Sequence, residues 1–198
     1  MADWIVATIS QYGYPGIFLL MLLEAVFPPI PSELIAPFAG YAAARGDLDP
    51  IGVLVSASLG SVAGMVPWYL AGRLIGLERV RHLADRFGRW FAILPQDIDR
   101  AASWFGRFGA LVVLFGRLLP IIRTVISVPA GLARMPVLYF AGASLAGILI
   151  WNAALIAAGY LLHEQYQLVG RFLEPLTIAV LAGMVLAYLW RIVTWRRS

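Results

Sequence analysis

The stretch Glu24-Ala-Val-Phe-Pro-Pro-Ile-Pro-Ser-Glu33 decides how this chain folds. It ends the apolar run Gly16 to Phe27, which is interrupted only by Glu24, and it leads straight into Pro28, Pro29 and Pro31. Proline offers no backbone donor, clashes with the preceding helical turn, and pushes the residue before it out of the helical region. One continuous helix cannot pass through three of them. The next apolar stretch, Leu34 to Ala44, is too short for a bilayer crossing, which takes about 20 residues. A re-entrant helical hairpin over about residues 16–45 therefore fits better than a second full span, its non-helical turn shielded by protein or water.

The rest of the composition agrees with a bilayer setting. The 198 residues are 61% hydrophobic and 13% charged, whereas a soluble domain is about half apolar and about a quarter charged. The expected class is an all-α integral membrane protein, a single membrane domain over residues 1–198. Residues 51–76 are long enough to span, and so are 137–162 and 173–193. Trp4, Ile5 and Val6, within residues 1–11, suggest a short helix that either lies at the interface or leads into the first segment. Ser56, Gly60 and Gly64, four residues apart, form a small-residue face suited either to internal packing or to a homodimer. Residues 77–108 interleave arginines with Trp90, Phe91, Trp104 and Phe105, the pattern of an amphipathic surface segment. Its arginines, like Arg191, Arg196 and Arg197, place it on the cytoplasmic side. The net charge of +4 is thereby explained without a nucleic-acid partner.

The proline break occurs twice. Laying residues 29–40 over 120–131 without a gap matches Pro29 with Pro120, Ile30 with Ile121, Ile35 with Ile126, Ala39 with Ala130 and Gly40 with Gly131. Beyond each copy lies a spanning segment with Gly and Trp four apart, Gly64 and Trp68 in one, Gly147 and Trp151 in the other. The expected architecture is an inverted-repeat-like pair of broken hairpins, the second over about 110–135, each followed by a spanning helix. Interrupted apolar segments at equivalent positions of two repeats point to a transporter's binding site near the midplane.

The two copies differ in charge: the first carries Glu24 and Glu33, the second Arg117 and Arg123. A charge at the bilayer centre costs about 2.5 to 3.5 kcal/mol on insertion scales, so four of them need pairing or a ligand. On a straight helix, at about 100° per residue, neither pair would share a face; only the proline breaks let them converge. A guanidinium presents a planar fork of donors suited to phosphate, and broken helices add backbone N–H groups. An anionic headgroup is the expected ligand, with Thr124 and Ser127 as further contacts. When substrate takes the arginine, a carboxylate that has lost its partner has reason to take up a proton, so Glu24 and Glu33 are the proton-coupling candidates. The plainer reading is that the four charges form fixed ion pairs holding the hairpins together.

No metal or other cofactor is expected. Cysteine is absent, His82 and His163 stand alone outside the hairpins, and neither a glycine-rich phosphate loop nor a nucleophile with its base is evident. An enzyme reading has little to stand on, and none is expected.

Glu24-Ala-Val-Phe-Pro-Pro-Ile-Pro-Ser-Glu33, the run Gly64 to Gly76, and Phe115-Gly-Arg-Leu-Leu-Pro-Ile-Ile-Arg-Thr-Val-Ile-Ser-Val-Pro-Ala-Gly131 together resemble the DedA family of membrane proteins, which share the VTT domain with eukaryotic lipid scramblases. The resemblance implies two opposed re-entrant hairpins, a multi-pass protein of the bacterial cytoplasmic membrane, and transport of phospholipid-type substrates. Undecaprenyl phosphate, phosphatidylethanolamine and a dependence on the proton motive force all come with it. It also implies that Glu24 and Glu33 are the family's acidic pair and Arg117 and Arg123 its basic pair. Many members have an acid after the glycine matching Gly64, where this chain has Met65. The leading expectation is a lipid-phosphate flippase, with a less selective phospholipid scramblase and a non-transporting scaffold as alternatives.

Overall fold

The computed structural model describes residues 2–27, 32–79, 95–119 and 122–162. The expected span 173–193, residues 80–94 of the expected surface segment, and both histidines lie outside them. The helices are α1 (Ala2–Val26), α2 (Ser32–Ala44), α3 (Pro50–Ile75), α4 (Pro95–Arg117), α5 (Ile122–Val125), α6 (Ser127–Leu132) and α7 (Val137–Leu161). Three stretches are long and apolar enough to cross a membrane: Trp4–Val26, Pro50–Ile75 and Val137–Leu161.

Helices stop on either side of both proline breaks. α1 ends at Val26 and α2 begins at Ser32; α4 ends at Arg117 and α5 begins at Ile122. Of the two readings of the N-terminal stretch, the structure takes the one in which it leads into the first arm: α1 starts at Ala2 and bends at Gly13 (φ 56°). Ile5 and Ile9, one turn apart, bury the lead-in against the same core as Ile17 and Leu20, while Ser10 and Gln11 face outward. α4 bends likewise at Gly109 (φ 36°), where the surface segment was expected to give way to hairpin 2. Both bends use the left-handed region that glycine alone enters without a Cβ penalty. α3 has a well-defined start: Asp49 Oδ2 accepts from the Gly52 N–H at 2.8 Å, Pro50 sits at the first helical position, and Tyr14 Oη accepts from the Asp49 N–H at 2.8 Å.

The packing follows the repeat. Each first arm lies along the spanning helix of its own half. A Cβ on Gly64 would stand 2.7 Å from the Leu22 carbonyl oxygen and 2.5 Å from Ala25 Cβ; one on Gly147 would stand 3.0 Å from the Leu114 oxygen and 2.6 Å from Arg117 Cβ. Glycine lets the backbones touch there. The small face of α3 is thus spent on α1, and Ser56 Oγ donates to the Tyr14 carbonyl at 2.5 Å.

The second arms are exchanged. α2 packs on α7, and α6 packs on α3. Gly40 and Gly159 meet the carbonyls of Ile156 and Pro37, while Gly131 and Gly72 meet those of Tyr69 and Val128. The alignment that superposes Gly40 on Gly131 also superposes Pro37 on Val128, so one contact is made twice. The spanning helices differ by a turn between their two contacts, eight residues from Gly64 to Gly72 but twelve from Gly147 to Gly159.

Candidate functional site

The helix ends on either side of both proline breaks bring the four charges to one place. Glu24 lies in the last turn of α1, Glu33 in the first turn of α2, Arg117 at the end of α4 and Arg123 in α5. Glu24, Arg117 and Arg123 are 4%, 6% and 8% exposed; Glu33 is the more open acid.

Arg123 sits between the acids. Its Nη2 donates to the Glu24 carboxylate and lies 4.0 Å from the Glu33 carboxylate, and its guanidinium carbon is 5.6 Å from the centre of the Trp151 ring. Arg117 is held differently. It donates from Nη1 to the Arg123 carbonyl (2.6 Å), and from Nη2 to Ser127 Oγ (2.7 Å), Met65 Sδ (3.0 Å) and Ser144 Oγ (3.4 Å). One arginine is the ion-pair partner; the other ties down the backbone that carries it. Two acids and two arginines cancel formally, so losing any one leaves a net charge in a buried setting.

Of the residues expected here, Glu24, Glu33, Arg117, Arg123 and Ser127 come together; the Thr124 side chain is outside the described residues. Sequence reasoning missed Ser144 and Asn152. Asn152 Nδ2 donates to Ser58 Oγ at 3.4 Å between α7 and α3. A lone amide in an apolar span is itself a signal, since it must find a partner away from water. Met65, noted only as a departure, turns out to touch Arg117.

The prolines also explain a tryptophan. In an unbroken helix the Ala25 carbonyl would accept from residue 29, which is a proline and has no N–H to give. Trp68 Nε1 donates to it instead at 3.1 Å. Trp68→Phe keeps the ring and loses the bond; thermal unfolding in detergent should show a loss of about 1 kcal/mol.

Beside the charges lies a cavity of about 30 Å³, lined among others by Glu24, Ser61, Arg117, Arg123, Trp151 and Asn152. Nε of both arginines and Nε1 of Trp151 are buried without a hydrogen-bond partner among the described residues. Such groups are costly unless something accepts from them.

The sequence profile of the VTT domain matches residues 27–161, a range that includes Glu33, Arg117 and Arg123. The chain is 38% identical over 166 residues to undecaprenyl phosphate transporter A of Staphylococcus aureus, covering 84% of this chain and 82% of that one. It is 31% identical over 187 residues to the Bacillus subtilis protein of the same name, covering 92% and 89%. An alkaline phosphatase-like protein of Lactococcus lactis subsp. cremoris is 37% identical over 183 residues, covering 92% and 86%. No solved structure matches.

Proposed function

The chain belongs to the DedA family of VTT-domain membrane proteins, and from that premise we propose that it carries a lipid phosphate, undecaprenyl phosphate above all, across the bacterial cytoplasmic membrane. The observation that carries this reading is the pair of buried guanidinium groups at the meeting of two broken hairpins, each with an N–H left without an acceptor among the described residues. Arg117 and Arg123 hold the phosphate; the prenyl tail stays in the bilayer. When phosphate takes Arg123, Glu24 loses its counter-ion and takes up a proton, with Glu33 as the more open acid exchanging it. The names of the two transporter relatives support the substrate class. "Phosphatase-like" is the wording of the Lactococcus name; the groups gathered here suit holding a phosphate, not cleaving one.

Reconstitution tests this directly. Labelled undecaprenyl phosphate placed in one leaflet of proteoliposomes should move faster than in protein-free vesicles, and a pH gradient should drive it. Movement that ignores the gradient and is competed by phosphatidylethanolamine would replace this reading with a less selective scramblase. A folded protein that moves nothing would leave a scaffold.

Met65 offers a second test. Met65→Glu sets a carboxylate where a thioether now meets Arg117, giving that arginine an acid to exchange with substrate. The expected outcome is a steeper response to the pH gradient than wild type shows; equal responses would remove position 65 from the coupling.

A further inference from the structure

The two halves treat their equivalent tryptophans differently. Trp68 Nε1 donates to a carbonyl that a proline has left without a donor; Trp151, in the same position of the second half, has its indole N–H buried with no acceptor among the described residues. The second break has one proline where the first has three, and the Gly116 carbonyl, which Pro120 cannot serve, is taken by the Leu119 N–H at 3.4 Å. The carbonyl equivalent to the one Trp68 serves therefore already has a donor. The Trp151 ring lies under the Arg123 guanidinium.

Three N–H groups are in this condition: Nε1 of Trp151, Nε of Arg117 and Nε of Arg123. All three residues line the same cavity of about 30 Å³, which has room for one water-sized atom. Three donors exceed the two lone pairs with which a water accepts, whereas an anionic phosphate oxygen can accept from all three, with charge assistance from both arginines. We propose that this cavity receives one phosphate oxygen of the substrate and that Trp151 is a headgroup-binding residue alongside the arginines. The inference rests on the lipid-phosphate reading and adds to it a neutral, directional donor. Asn152 and Ser61 complete the polar side of the cavity.

The test follows the indole N–H itself. Nitrogen–proton correlation spectra of the full chain in detergent resolve the indole groups of its seven tryptophans, and Trp151→Phe identifies the one in question. Farnesyl phosphate should shift that resonance downfield, while farnesol, with the same tail and no phosphate, should not. A matching shift with inorganic phosphate also supports the site and shows that the tail is dispensable for it. Trp151→Phe keeps a ring beneath Arg123, and the six remaining indole signals report whether it folds as wild type does. Its affinity for farnesyl phosphate should fall by roughly tenfold, the range for one hydrogen bond to a charged group. Farnesyl phosphate that binds wild type and Trp151→Phe equally, without moving the Trp151 signal, would overturn the inference and assign the cavity to water. Failure of farnesyl phosphate to bind wild type at all is a different result: it defeats the lipid-phosphate reading, and this one with it.

Discussion

Arg123→Ala should abolish the proposed movement of undecaprenyl phosphate in proteoliposomes while the protein still inserts. The same substitution should lower the melting temperature, because it takes away the ion-pair partner of the buried Glu24; removing one partner of such a pair costs about 3 to 5 kcal/mol. The two effects are separable. Adding Glu24→Gln removes the stranded carboxylate, so the double variant should regain most of the lost stability and none of the transport. Arg117→Ala should behave differently, since its bonds run to the Arg123 carbonyl, Ser127 and Met65 and not to an acid. Transport should be lost there too, and Glu24→Gln should restore less of the stability than it does for Arg123→Ala, because the bonds of Arg117 are lost as well. Thermal unfolding and lipid movement measured on the same preparations check all of this. Normal movement by both alanine variants would sink the substrate role, and recovery of transport together with stability in the double variant would make the pair structural.

The other large effect belongs to the exchanged arms. Gly159→Ala places a methyl group where the Pro37 carbonyl stands, and Gly131→Ala does the same against Tyr69. Overpacking costs about 1 to 3 kcal/mol when side chains can give way; here the obstacle is backbone, so the upper end or beyond is expected. Because the two contacts are copies, the two losses should be similar. Gly142 in α7 has nothing within reach of an added Cβ, so Gly142→Ala is the control and should unfold like wild type. Unfolding temperature in detergent reads the comparison; an unchanged value for Gly159→Ala would mean that α2 does not lie against α7.

What could be read in the sequence was whatever has a strong local cause. The first break is marked by Pro28, Pro29 and Pro31 standing within four residues, whereas the single prolines Pro15, Pro37 and Pro67 lie inside helices; the second break is found by its match to the first. The apolar lengths of α3 and α7 mark spans. The alignment of residues 29–40 on 120–131 finds the glycines that make the exchanged contacts, though not what they touch. Their partners Gly72 and Gly159 escape the same matching because of the additional turn between Gly147 and Gly159, which breaks the offset shared by the Gly-x-x-x-Trp pairs. The apolar residues of the lead-in fit an interfacial helix as well as the start of the first arm, and only the burial of Ile5 and Ile9 against the core of α1 decides for the second. The four charges stand out in sequence because a bilayer makes charges conspicuous. Which acid meets which arginine does not, since that depends on two chain reversals whose angles the sequence does not state. Trp151 was visible only as half of a repeat, and its meaning lies in how it differs from Trp68.

The exchange of arms also fixes an order of events during synthesis. α2 is complete once Ala44 has been added, yet the helix it rests on begins at Val137. A growing chain therefore carries an unfinished first half, with Pro37 and Gly40 waiting for a surface that is still to be made. The second half, when it emerges, finds its own resting place already built in α3. Neither half is self-sufficient, and each supplies the seat for the other's tip. A chain divided between residues 79 and 95 should thus yield two fragments that settle only in each other's company.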